Sequence, residues 1–175
     1  MQIPLVMTVI GKDRTGLVES VARLVAEHGG NWLESRMCRL GGEFAGILRI
    51  HVPAEKQSAL MNGLKALQAQ GLNVVAYADQ PVVAEAAGKL VSLEIVGHDR
   101  PGIIREITRA LAGQGVNVEE LSSECASAPM SGESLFRARA RLQLPARCDA
   151  AALRRELEKI ASDLMVDVSL ADLEA

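Results

Sequence analysis

The chain has 175 residues, with 22 acidic against 19 basic side chains and a formal net charge of −3, a balance that excludes a strongly basic binder of phosphate backbones. Its aromatic content is 2%, namely Trp32, Phe44, Tyr77 and Phe136. That is too few rings for a base-stacking platform, so Leu, Val, Ile and Ala must fill the core.

Residues 3–10 are apolar and β-branched and predict a first strand. Met1-Gln2-Ile3-Pro4 has no positive region ahead of that stretch, and Lys12, Asp13 and Arg14 interrupt it, so no signal peptide is expected. No apolar run approaches the roughly 18 residues of a membrane span, and the protein is expected to be soluble and cytoplasmic. A Gly-x-Asp-Arg-x-Gly turn, Gly11 to Gly16, breaks the strand. Leu17, Val18, Val21, Leu24 and Val25 then recur at helical spacing, and Gly29 is the expected left-handed stop. Strands at 31–40 and 43–52 follow, joined by a Gly41-Gly42 hairpin turn. Pro53 opens a second helix carrying Leu60, Leu64 and Leu67, and residues 72–78 form a last strand.

The same order then repeats. Gly97-His98-Asp99-Arg100-Pro101-Gly102 matches Gly11 to Gly16 at an offset of 86, and residues 11–34 hold nine identities in 24 ungapped positions. The offset grows to 93 where Leu60, Leu64 and Leu67 match Leu153, Leu157 and Ile160, and Ala78-Asp79 matches Ala171-Asp172. The organisation expected is a first domain at 1–80, a linker at 81–88 and a second domain at 89–175. Each domain is α+β and ferredoxin-like, βαββαβ, with an antiparallel sheet covered by two helices on one face.

Topology alone does not give function. The glycine-rich loop followed by Ile103, Ile104 and Ile107, and then by Gly115-x-Asn117-Val118, resembles the ACT domain, a small-molecule sensing module that commonly binds amino acids. The first copy resembles it too, with Thr15 where proline is more usual. Ser127-Ala128-Pro129-Met130-Ser131-Gly132, with Leu135-Phe136 and a strand ending at Pro145, is similar to the second domain of the glycine cleavage system transcriptional repressor family. Those are tandem ACT regulators and not enzymes. The resemblance implies a sensor of glycine or a similar amino acid that acts by contacting a DNA-binding activator, without touching nucleic acid or membrane itself, and it leaves room for a homodimer.

The residues support a ligand site on their own terms. A glycine-rich turn at a helix N-terminus presents N–H groups and partial positive charge that suit a carboxylate. Asp13 or Asp99 suits an ammonium, and Pro101 suits a first helical position. Asn31 and Asn117 begin a neighbouring strand with amides that donate and accept. The candidate ligand-binding set is therefore Asp13, Arg14, Thr15, Gly16 and Asn31 in the first copy, and His98, Asp99, Arg100, Pro101, Gly102 and Asn117 in the second. Gly, Asp and Asn there are also ordinary turn chemistry. Trp32, next to Asn31, is a candidate fluorescent reporter of binding.

Arg137, Arg139 and Arg141 alternate along one strand, either as a docking strip or as a solvated face balanced by Glu94, Glu119 or Glu124. Pro129, Met130, Ser131 and Gly132, with Arg137 and Arg139, are candidate partner contacts; a loose hairpin is the alternative for the inserted loop. Cys38, Cys125 and Cys148 have no CxxC spacing, and His28, His51 and His98 do not pair as ligands, so no metal, disulfide framework or cofactor is expected. No nucleophile with a partnered base stands out, which argues against a small enzyme. Feedback control of a separate biosynthetic enzyme is the alternative regulatory reading.

Overall fold

Side-chain alternation along the first strand decides which way each half of the chain folds. In β1 (Gln2–Lys12), Leu5, Met7 and Val9 are buried, while Val6, Thr8 and Ile10 take the opposite face. The structure, a computed structural model, describes residues 1–79, 88–127 and 134–173, and the chain divides into two units, Met1–Val82 and Val83–Ala175. All of the expected linker except Gly88 lies outside the described residues.

The first unit continues with α1 (Leu17–Glu27), β2 (Asn31–Leu40), β3 (Glu43–Pro53), α2 (Gln57–Ala66) and β4 (Leu72–Ala78). The second runs β5 (Lys89–His98), α3 (Ile103–Gly113), β6 (Asn117–Ser127), β7 (Ser134–Leu144), α4 (Ala150–Leu164) and β8 (Val166–Asp172). The strand orders are β2-β3-β1-β4 and β6-β7-β5-β8, antiparallel throughout. This is the ferredoxin-like arrangement expected from the sequence. Gly29 and Gly115, with φ of 68° and 71°, stop the first helix of each unit. Pro53 differs from expectation: it ends β3, and a 3-10 turn at Ala54–Lys56 precedes α2.

Each core is one aliphatic layer between sheet and helices. In the first, Leu17, Val21 and Val25 of α1 and Leu60 and Leu64 of α2 pack in one cluster with Leu5, Met7, Leu48 and Ile50 of the sheet. In the second, Ile103, Ile107, Leu153 and Leu157 do the same with Leu93, Ile95 and Leu142, and Phe136 is the one aromatic ring among the buried residues of either cluster. Each such burial is worth about 1.5–3 kcal/mol. No polar or charged side chain is buried among the described residues, so hydrophobic packing alone holds the layer.

The register corrects one alignment made from sequence. Gly11 pairs with Leu72 and Gly97 with Val166, so the last strands correspond at an offset of 94 and Ala78 matches Asp172. The extra residue arises in the second helix of each unit. The first copy follows α2 with a 3-10 stretch, Leu67–Gln70, whereas α4 stays α-helical to Leu164. A 3-10 turn rises about 2.0 Å per residue against about 1.5 Å, so one residue fewer spans the same length.

Gly11 and Gly97, the first glycines of the two motifs, serve this strand contact. A Cβ on Gly97 would meet Val166 Cγ1 at 2.6 Å, and one on Gly11 would press on the Gly71 carbonyl oxygen. Gly97→Ala is therefore expected to cost about 1–3 kcal/mol as an overpacked contact, read by chemical denaturation. The helix stops before the last strands also differ. Gly71 turns at φ 81°, but Met165 holds the equivalent place at φ 53° and ψ 48° with its side chain largely exposed. Met165→Gly relieves left-handed strain without losing packing, and should raise stability by about 0.5–1 kcal/mol in the same measurement.

Candidate functional site

The second glycine of each motif builds the turn into the helix. Gly16 has φ 90° and ψ 4°, and Gly102 φ 99° and ψ −8°. These are values of the third position of a type II turn, whose second position favours proline. That explains Pro101, and Thr15 in the same place of the first copy. It also corrects the expectation for Pro101: Gly102 is the N-cap and Ile103 the first helical residue, so the proline lies before the helix. No side chain caps α1 or α3 among the described residues, which leaves the positive end of each helix to its backbone donors.

Both loops are tied to the third strand of their unit or the turn before it. The Asp13 N–H donates to the Gly42 carbonyl at 3.0 Å and the Asp99 N–H to the Ser134 carbonyl at 3.0 Å. Beyond that they diverge. In the first loop Asp13 Oδ2 meets Arg39 Nε at 2.5 Å, Lys12 pairs with Glu43, and Arg14 Nη2 donates to the Gln70 carbonyl at 3.3 Å. In the second, Cys125 stands where Arg39 stands and Leu135 where Glu43 stands, as the register with Phe136 and His98 shows. The Cys125 thiol lies beside the Asp99 carboxylate. Desolvation, and then the charge of that carboxylate, push the thiol pKa up. His98, Asp99, Pro101 and Gly102 are exposed and Arg100 is half-buried.

The asparagines are not at the loops. Asn31 pairs with His51, which pairs with Pro4, while the loop begins after Lys12 beside Glu43. Nine residues of strand separate the two levels, about 30 Å at the usual rise. Asn117, level with Gln143 and Leu90, is as far from Asp99. The physical reason is that the helix carries the chain back across the sheet, so β2 starts at the opposite end from the loop, and β3 lies between β2 and β1. Trp32, part-buried against the first core, is therefore at the wrong end to report on the loop.

The arginine strip is ion-paired. Arg139 Nε reaches Glu94 Oε1 at 2.9 Å, Arg141 Nε reaches Glu119 Oε2 at 3.2 Å, and Arg137 Nη1 reaches Glu124 Oε1 at 3.5 Å. These are the three glutamates that the sequence offers as compensation. Beside them an open hollow of about 200 Å³ is lined by Ser122, Ser123, Glu124, Arg137 and Arg139. Pro129, Met130, Ser131 and Gly132 lie outside the described residues. Among the described residues no group of His, Cys, Asp or Glu could hold a metal ion, and no helix is long and apolar enough to cross a membrane. His28 Nδ1 lies 2.8 Å from the Leu24 carbonyl and has a structural role.

Sequence reading missed Arg39, Glu43 and Cys125, which decide how each loop is charged. The offset of 86 aligns Arg39 with Cys125, so comparing the copies outside the motif was the available signal.

The ACT domain family matches residues 4–77 and, again as ACT domain, residues 91–139. No curated protein matches the chain by sequence. Among solved structures, an unknown protein from Galdieria sulphuraria is 28% identical with a TM-score of 0.85, over 99% of this chain and 100% of its own. A candidate glycine cleavage system transcriptional repressor is 23% identical with a TM-score of 0.71, over 100% of this chain and 99% of its own, a likeness of fold. The two matches and the two βαββαβ units agree, and the chain belongs to the ACT-domain family, with two ACT domains in tandem.

Proposed function

We propose that this protein is an amino-acid-responsive regulator that binds its ligand at the second loop, His98 to Gly102, and has no reaction of its own. The observation that carries the reading is the unequal charge of the two loops. Asp13 already has a cation in Arg39, and Lys12 an anion in Glu43. Asp99 instead faces the uncharged thiol of Cys125. An amino acid's ammonium therefore finds an acceptor carboxylate at Asp99, while its carboxylate meets the uncapped start of α3. At Asp13 the same ammonium would have to displace Arg39.

Magnitudes favour the second loop as well. A hydrogen bond to a charged group is worth about 1.5–3 kcal/mol, and two or three of them, after entropy losses, suit micromolar to millimolar sensing. Asn31 and Asn117 reach such a ligand only from outside their own domain. The full-length likeness of fold to a candidate glycine cleavage system transcriptional repressor supports glycine or a close relative as ligand, and a DNA-binding activator as the protein partner.

Calorimetry against the twenty amino acids tests the reading. At least one small amino acid should bind at millimolar concentration or below. Asp99→Asn should weaken it at least tenfold, while Asp13→Asn leaves it unchanged. Absence of any binding, or equal loss from both variants, contradicts the assignment. The thiol gives a second test. Asp99→Asn removes the anion that disfavours thiolate, so the Cys125 pKa falls and its alkylation near pH 8 should accelerate, with the rate at Cys38 unchanged; mass spectrometry of the alkylated peptides reads both rates.

A further inference from the structure

Strand order leaves four edges in the two sheets, β2, β4, β6 and β8. Three of them carry charge, a usual guard against a foreign strand. Glu34, Arg36 and Arg39 lie in β2, Glu119, Glu120 and Glu124 in β6, and Asp167 and Asp172 in β8. β4, Leu72-Asn73-Val74-Val75-Ala76-Tyr77-Ala78, has no charged residue, no proline and no glycine. The two equivalent edges, β4 and β8, differ in their backbone as well. The Asp79 N–H donates to the Pro4 carbonyl and the Leu173 N–H to the Leu90 carbonyl. By alternation along an antiparallel pair, Val74, Ala76 and Ala78 therefore turn their N–H and C=O groups outward, as Val168 and Leu170 do in β8. Arg154 Nη2 of α4 donates to the outward Leu170 carbonyl at 2.8 Å. Beside it an open hollow of about 240 Å³ is lined by Arg154, Leu157, Glu158 and Val168 to Leu170. At the offsets of 93 for the helix and 94 for the strand, Met61 stands where Arg154 stands and Ala76 where Leu170 stands. A thioether has no N–H to give, so no equivalent bond closes the outward Ala76 carbonyl.

We propose that the β4 edge receives an extended segment of an unlike protein as an added strand, apolar at alternate positions and with an acidic side chain among them. The edge offers apolar contact on both sides of the sheet. Met61, Val74 and Ala76 pack part-buried against the first core, and on the open face Val75 remains 47% and Tyr77 63% exposed. Backbone pairing with Val74, Ala76 and Ala78 supplies affinity, and these side chains supply selectivity. Lys65 sets the charge. It is exposed, one turn beyond Met61, and corresponds to Glu158, which lines the hollow beside Val168 to Leu170. Lys65 therefore stands over the same edge, at the level of Val74 and Val75, and β4 has no acidic residue to answer it. A second copy added antiparallel about Val75 would bring Lys65 against Lys65, whereas an acidic side chain on an unlike partner completes an ion pair. The charged groups at the two ends of the edge are engaged, Arg14 on the Gln70 carbonyl and Asp79 on Arg49. The site is apart from the second loop, and its test does not depend on ligand binding there.

The probe is a fluorescein-labelled peptide of alternating Val and Thr with a central Glu, and its control is the same peptide with Lys for Glu. Fluorescence anisotropy should show saturable, micromolar binding of the Glu peptide to the whole chain, weakened about tenfold or more by the Lys replacement. The second unit supplies one variant: Met61→Arg transfers the Arg154 closure to β4. Ala76→Pro supplies another, removing an outward N–H at an edge position, where proline is tolerated. Each should weaken binding of the Glu peptide about tenfold or more with an unfolding midpoint close to wild type, and either one that folds suffices for the test. Amide hydrogen exchange should slow at Val74, Ala76 and Ala78 when the peptide binds, and stay unchanged in β8. Absence of saturable binding, equal binding of the Glu and Lys peptides, or binding retained by a folded variant overturns the proposal. So does a wild-type chain whose β4 amides become protected as its own concentration rises, which would assign the edge to a second copy.

Discussion

One-sided burial governs this molecule. Each domain is stabilised by an aliphatic layer between one sheet face and two helices, and strand alternation assigns every second side chain to that layer. Leu5, Met7 and Val9 in one copy and Val91, Leu93 and Ile95 in the other are under the same constraint, and they are alike. The residues between them, Val6, Thr8 and Ile10 against Ser92, Glu94 and Val96, answer to no core. They have diverged. A duplicated module can therefore keep its fold while its outward surfaces acquire separate roles.

The same division holds at the loops. The glycines that shape them are equivalent in both copies: Gly11 and Gly97 admit the last strand, and Gly16 and Gly102 take a left-handed turn. What surrounds them differs. Arg39 and Glu43 neutralise the first loop, so that its charges are satisfied by the protein itself. Exposed ion pairs of this kind add little to stability, but they set what a small zwitterion encounters. The second loop keeps the backbone geometry, with Cys125 and Leu135 at the positions of Arg39 and Glu43.

Fold was largely legible in the sequence because periodicity and glycine positions record local rules. The apolar spacing of Leu17, Val21 and Val25 located α1, and Gly29 its end. Two features were not legible. The 3-10 stretch at Leu67–Gln70, which shifts the alignment by one residue, depends on how a helix end meets the next strand. The separation of Asn31 from its own loop depends on the direction of α1, so nearness in sequence was misread as nearness in space. Asp149, whose Oδ1 accepts from the Ala151 and Ala152 N–H groups at the start of α4, is by contrast a cap that its residue type signals. Of the candidate site, the loops were found from their motif, but their inequality lies in β2 and β6, about 25 residues further along, where only tertiary pairing brings Arg39 or Cys125 back.

We propose that chemical inequality, not fold, assigns ligand binding to one of two like loops. Amide chemical shifts followed during titration of the whole chain with glycine and other small amino acids test it most directly. Saturable shifts confined to Asp99 through Ile103 and to Cys125 are expected, with Asp13 through Leu17 and Arg39 unmoved. Shifts centred on the first loop, or of equal size at both, would contradict it.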